Sequence, residues 1–251
     1  MANNNIDIVF VVDASASMRP TFDQLKKHLG SMLGPISQSG AKVRLGLVAH
    51  CAGESESGGS VLVQHLGLDG YSVTDLLYRK SVNDSNNEDK LFTQDARRFI
   101  SSLNLVEPKG DEETLIALDC ALDFPYGALS NTKRVVVLLS DERLEDGVSE
   151  GRYGEKIPEL IEKIHARHIN LFCVLPESDQ ANQLAYADRS EVEFIQGGDG
   201  MANVKFDLLL GQMGKSISAS SLQASTEPAY KKALFGQEQW GESDSEMVDR
   251  D

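Results

Sequence analysis

The chain predicts an α/β fold: a doubly wound, mostly parallel central sheet with helices on both faces and one antiparallel edge strand. Three observations predict it. Apolar, β-branched runs of strand length recur along the 251 residues, and segments with apolar spacing of three and four stand between them. Two neighbouring strand patterns are separated only by Gly53-Glu54-Ser55-Glu56-Ser57-Gly58-Gly59, a turn-rich connection that suits a hairpin. The first strand ends in a carboxylate and two hydroxyls at alternate positions, where open α/β sheets place their ligands.

The elements follow in order. Ile6 to Val12 is nearly unbroken apolar sequence, interrupted only by Asp7, and reads as a buried parallel strand. Pro20 opens a helix carried by Phe22, Leu25, Leu29, Met32 and Leu33, and Gly34-Pro35 is expected to stop it. Lys42 to Cys51 and Ser60 to Leu66 are the hairpin strands. Residues 70 to 92 carry no clear pattern, and Asp84 to Asp89 reads as a surface loop. Helical spacing returns over Leu91 to Leu103 and over Glu112 to Phe124. Thr132 to Leu139 is a further buried strand, Ile157 to Ala166 a helix, and His168 to Leu175 another strand. Val192 to Gln196 is short and β-like, and Asp207 to Ile217 closes the domain as a helix.

These elements define one domain over residues 1–217. Residues 218–251 form a tail of different character, rich in small polar residues and acidic toward its end. Two readings of the tail stand open: a disordered segment, or a docking segment anchored by Tyr230, Leu234, Phe235 and Trp240.

Composition narrows the function. With 39 acidic against 24 basic residues the formal net charge is -15, which opposes unaided nucleic-acid binding because phosphates are repelled before contact. Three cysteines, Cys51, Cys120 and Cys173, lack metal-type spacing and read as buried free thiols of a reducing compartment. The first residues show no basic segment followed by an apolar core, and no apolar run is long enough to span a bilayer. A cytoplasmic protein that avoids both membrane and nucleic acid is expected.

The candidate site is Asp13-x-Ser15-x-Ser17. Alternate residues leaving a strand can converge on one point, and hard oxygens there suit a small divalent cation such as Mg²⁺. Asp141 follows a buried strand as Asp13 does. Thr114 closes the turn Gly110-Asp111-Glu112-Glu113-Thr114 into a helix, so three loops can meet at the carboxyl edge of the sheet.

These residues resemble the von Willebrand factor type A (VWA) domain and its metal-ion-dependent adhesion site, of the kind found in integrins and in many bacterial intracellular proteins. The family motif Asp-x-Ser-x-Ser is matched by Asp13, Ser15 and Ser17, its second-loop threonine by Thr114 and its third-loop aspartate by Asp141. The resemblance covers roughly residues 5 to 215. The chain departs from the family in its second loop, where Gly-Asp-Glu-Glu-Thr replaces Gly-Gly-Thr, so Glu112 or Glu113 is an alternative ligand to Thr114. The third motif is Asp141-Glu142 instead of Asp-Gly, with Arg143 and Glu145 following, so the rim is unusually charged.

The resemblance implies that Ser15, Ser17 and Thr114 bind Mg²⁺, or Mn²⁺, directly, with Asp13 and Asp141 acting through water or holding the hydroxyls. Neutral ligands leave the ion's charge under-compensated, and the Asp or Glu carboxylate of a partner protein completes the coordination. The expected activity is metal-dependent protein binding without catalysis. By the same resemblance, bacterial relatives work beside AAA+ ATPases or in stress and defence assemblies. Two alternatives remain: a Mg²⁺-dependent hydrolase using Glu112, Glu113 and Glu142, and an adaptor with a vestigial site that binds through its tail. The enzyme alternative is weakened by the lack of a glycine-rich nucleotide loop and of any histidine in the three loops. His50 and His65 fall on strands and take no catalytic role.

Overall fold

Strand β1 (Asn5–Asp13) forms the spine of a sheet of order β4-β3-β2-β1-β5-β6-β7. The structure is a computed structural model. It describes residues 5–51, 60–65, 71–73, 91–106, 114–146, 156–185, 187, 190–195 and 199–222. β1 pairs in parallel with β2 (Lys42–Cys51) and with β5 (Thr132–Leu139). β6 (Ile169–Pro176) and β7 (Ser190–Ile195) continue the parallel array beyond β5. Outside β2, β3 (Ser60–His65) pairs antiparallel, and β4 (Tyr71–Val73) pairs antiparallel to β3. Among the described residues β3 alone runs against the rest of the sheet, as the sequence reading has it, while β4, which that reading lacks, runs with the array and takes the edge.

The period of two along β1 divides the core. Ile6, Ile8, Phe10 and Val12 pack on one face against α1 (Arg19–Gln38), α2 (Ala96–Leu103) and α6 (Phe206–Leu222). Val9 and Val11 pack on the other, against α3 (Thr114–Leu122), α4 (Ile157–Arg167) and α5 (Asp179–Ala185). The interruption at Asp7 is answered at the amino edge. Its two carboxylate oxygens each accept a 2.7 Å bond from Arg44, its neighbour in register on β2, and the Gly127 amide adds a third at 2.8 Å.

Several boundaries differ from expectation. Helix α1 does not stop at Gly34-Pro35 but runs through Pro35 to Gln38. Its last turns are held by burial of Met32 and Ile36 against α6, where Gly214 approaches the Met32 carbonyl so closely that any Cβ would collide with it. Tertiary packing there outweighs the local cost of an interior proline. Helix α2 starts at Ala96, not Leu91, because Asp95 caps it through the Arg97 amide while Thr93 bridges back to Leu45 on the sheet. His168 does not begin β6; it takes a left-handed conformation, φ 53°, as the cap of α4. Helix α6 continues past Ile217 to Leu222, beyond the expected domain boundary, and α5 was not anticipated. The expected 84–89 surface loop and the tail anchors lie outside the described residues. No described helix is long and apolar enough to cross a membrane.

Candidate metal centre at the carboxyl edge of the sheet

β1 delivers Asp13 to the carboxyl edge fully buried. The Ala14 amide bonds the His50 carbonyl at 2.7 Å, extending the strand pairing one residue further. The chain then turns. The Asp13 carboxylate accepts the Ser15 amide at 2.7 Å, an Asx turn, and the Met18 amide bonds the Ser15 carbonyl. Met18, wholly buried, anchors the far side of this loop and leads into α1. The result places Ser15 and Ser17 side by side, with their hydroxyl oxygens 3.0 Å apart, Ser15 buried and Ser17 exposed.

β5 brings the second carboxylate. Its last residues pair with β6, the Ser140 amide continues that pairing to the Val174 carbonyl, and Asp141 turns in, fully buried. The Ser17 hydroxyl donates to Asp141 Oδ1 at 3.1 Å. Asp13, Ser15, Ser17 and Asp141 therefore form one connected cluster. Thr114 is the first residue of α3 and is buried, on a helix packed against β1 and β2. Glu112 and Glu113, its alternatives, lie outside the described residues.

Two members of the cluster were missed in the sequence. Ser140 donates from its hydroxyl to Asp13 Oδ2 at 3.0 Å, tying the two strand ends together. Gly200, from a turn before α6, donates its amide to Asp141 Oδ2 at 2.8 Å, and its carbonyl accepts the buried Thr21 hydroxyl at 2.7 Å. Gly200 has φ 58°, and a Cβ there would strike the Ser17 carbonyl. Ser140 stands beside Asp141, so adjacency was an available signal. Nothing local ties Gly200 to residues so distant in the chain.

The electrostatics are unusual. Burial pushes the Asp13 carboxyl up from 3.8 to about 6; bonds from Ser15 and Ser140 pull it down, and the neighbouring Asp141 charge raises it further. No described cation neutralises this carboxylate. His50, opposite Asp13 in register, is held neutral because burial lowers its pKa to about 3. Among the described residues no three His, Cys, Asp or Glu side chains gather into a metal cage. The cluster offers two carboxylates and two hydroxyls, a hard-oxygen set that fits Mg²⁺ or Mn²⁺ and would relieve the buried negative charge.

Two solved structures share this architecture. One is the pilus adhesin SpaC from Lactobacillus rhamnosus GG in its open conformation, with a TM-score of 0.51 and 14% identity over 86% of this chain and 30% of that one. The other is a von Willebrand factor type A protein from Catenulispora acidiphila, with a TM-score of 0.50 and 14% identity over 88% of this chain and 43% of that one. The fold is VWA-like. The chain spans less than half the length of either neighbour. No family model and no curated protein matches it by sequence.

Proposed function

We propose that this chain is a Mg²⁺-dependent protein-interaction module that grips an Asp or Glu side chain of a partner protein. The observation carrying the proposal is the connected Asp13-Ser15-Ser17-Asp141 cluster at the carboxyl edge of the sheet. Ser15 and Ser17 present neutral oxygens to a cation, Thr114 adds a third by the family resemblance alone, and Asp13 and Asp141 orient the hydroxyls and supply negative charge. A bound ion supplies the positive charge and open coordination position that a carboxylate ligand requires. Ser140, Gly200 and Thr21 hold the two aspartates against rotation. The hydroxyl-lined donor set favours binding over hydrolysis, which needs a carboxylate free to act on water. Cys120 and Cys173, buried and not joined in a disulfide, support a reducing, cytoplasmic setting. Work within a multi-protein assembly, beside an AAA+ ATPase or in a stress or defence system, rests on the family resemblance alone.

The test is capture of partners from host lysate by wild type and by Ser15→Ala/Ser17→Ala, each in Mg²⁺ and in EDTA. A protein retained only by wild type in Mg²⁺ supports metal-gated recognition. Equal retention in all four conditions overturns it and transfers recognition to another surface, such as the 218–251 tail.

A further inference from the structure

The two loops that meet at the Ser17–Asp141 hydrogen bond each carry an arginine two residues further on, Arg19 and Arg143. Both are exposed, and neither guanidinium is bonded to a described residue. Among the other described arginines only the guanidinium of Arg97, at the start of α2, is likewise exposed and unbonded. Arg44 is clamped on Asp7, Arg134 on backbone carbonyls, and Arg167 on Asp123. With a net charge of -15, carboxylates to pair with are plentiful.

Local chemistry makes both positions more telling. Arg19 is the first residue of α1, where the helix dipole disfavours a cation, and no acidic residue stands in that first turn to offset it. Arg143 sits between Glu142 and Glu145, yet Glu145 turns away: its Oε1 accepts the Gln180 amide at 2.7 Å, at the start of α5. Among the described residues the rim therefore presents an exposed cation at both of these points, with half-buried Glu142 beside Arg143. The Cα of each lies at most about 7 Å of backbone from that of a cluster residue, so an extended arginine side chain can reach a ligand held there.

We infer that Arg19 and Arg143 are specificity arms that select a ligand segment whose coordinating carboxylate is flanked by further acidic residues. The inference rests on the metal-gated reading above and adds the chemistry of the partner: a short acidic peptide. Two cationic points in a strongly acidic molecule suit a few clustered carboxylates. A long polyanion would extend past the arms into repulsion from the rest of the surface.

Two fluorescent peptides test this by anisotropy in Mg²⁺ at low salt. One has a single central Glu among Gly and Ser; the other has the same Glu with two Asp on each side. Wild type is expected to bind the flanked peptide about fivefold to tenfold tighter, as two solvent-exposed charge contacts allow, and to lose that margin in 0.5 M NaCl, where the Debye length is about 4 Å. Arg19→Gln/Arg143→Gln should bind both peptides equally, with the single-Glu affinity unchanged. Equal binding by wild type, or a preference that survives in the double variant, overturns the inference while leaving metal-gated binding intact. If neither peptide binds in Mg²⁺, the underlying reading and this inference fall together. A Glu242→Gln/Asp244→Asn/Glu246→Gln variant identifies the occupant. Unchanged affinity for the flanked peptide supports an outside partner, whereas a gain above about threefold shows the chain's own acidic run competing and overturns that assignment.

Discussion

Asp7 and Asp13 stand on the same strand, point to the same face by parity, and are both fully buried, yet the fold treats them in opposite ways. At the amino edge Asp7 receives a guanidinium with two 2.7 Å bonds and a backbone amide. At the carboxyl edge Asp13 receives, among the described residues, only neutral donors, the Ser15 amide and the Ser140 hydroxyl, with a second buried carboxylate close by. A buried ion is stable when its counter-charge is built in, as at Asp7. Where the counter-charge is left out, the group either holds its proton or takes a cation from solution. The contrast teaches that the amino edge is architecture, whereas the carboxyl edge keeps the unneutralised charge on which our proposal of a metal receptor rests.

The contrast can be broken most forcefully at Asp7. Arg44→Met strands a buried carboxylate and should cost about 3–5 kcal/mol in urea unfolding, with no recovery in Mg²⁺. A loss below about 1 kcal/mol would mean that Asp7 needs no counter-charge, and the comparison would collapse.

The opposite sign is expected at Asp13. A carboxyl raised in the fold binds its proton more tightly than in the unfolded chain, so Asp13's contribution to metal-free stability is greatest below pH 4 and is lost as pH rises to about 6. At 1.36 kcal/mol per pH unit, that loss amounts to about 3 kcal/mol from this one group. Asp13→Asn should therefore stabilise the metal-free protein at pH 7 by about 1–3 kcal/mol and flatten its profile between pH 4 and 6. A destabilised Asn variant would show Asp13 to be a structural cap.

Gly200→Ala sharpens the comparison at intermediate cost. A side chain in the left-handed conformation and against the Ser17 carbonyl should cost about 1–2 kcal/mol of stability. It should also weaken Mg²⁺ uptake measurably by displacing the donor to Asp141. Unchanged Mg²⁺ affinity would remove Gly200 from the site. Thr21→Val is the mildest change, deleting the bond to the Gly200 carbonyl for about 1 kcal/mol, and is expected to shift Mg²⁺ affinity in the same direction by a smaller factor.

Much of this site is legible in the sequence because its residues lie at strand ends. A buried β-branched run followed by alternating oxygens reports both the element and the direction of its side chains, and Asp13, Ser15 and Ser17 converge with Asp141 as that pattern implies. The contacts that hold the aspartates are less legible. Gly200 reaches Asp141 only because α6 packs along α1 and carries its preceding turn to the sheet edge, a consequence of tertiary packing with no local signature. The same cause hides the true end of α1: Gly34-Pro35 is a stop signal on its own, and Met32 and Ile36 override it by burial. Short α5 was missed because seven residues with three buried side chains give little periodicity to read.

Isothermal titration of Mg²⁺ into wild type and Asp13→Asn at pH 7 decides whether the carboxyl edge receives a divalent cation, as we propose. Saturable uptake of one ion by wild type, lost in the variant while the variant stays folded by circular dichroism, is the predicted result. No saturable uptake by wild type, or equal uptake by both proteins, would contradict the account.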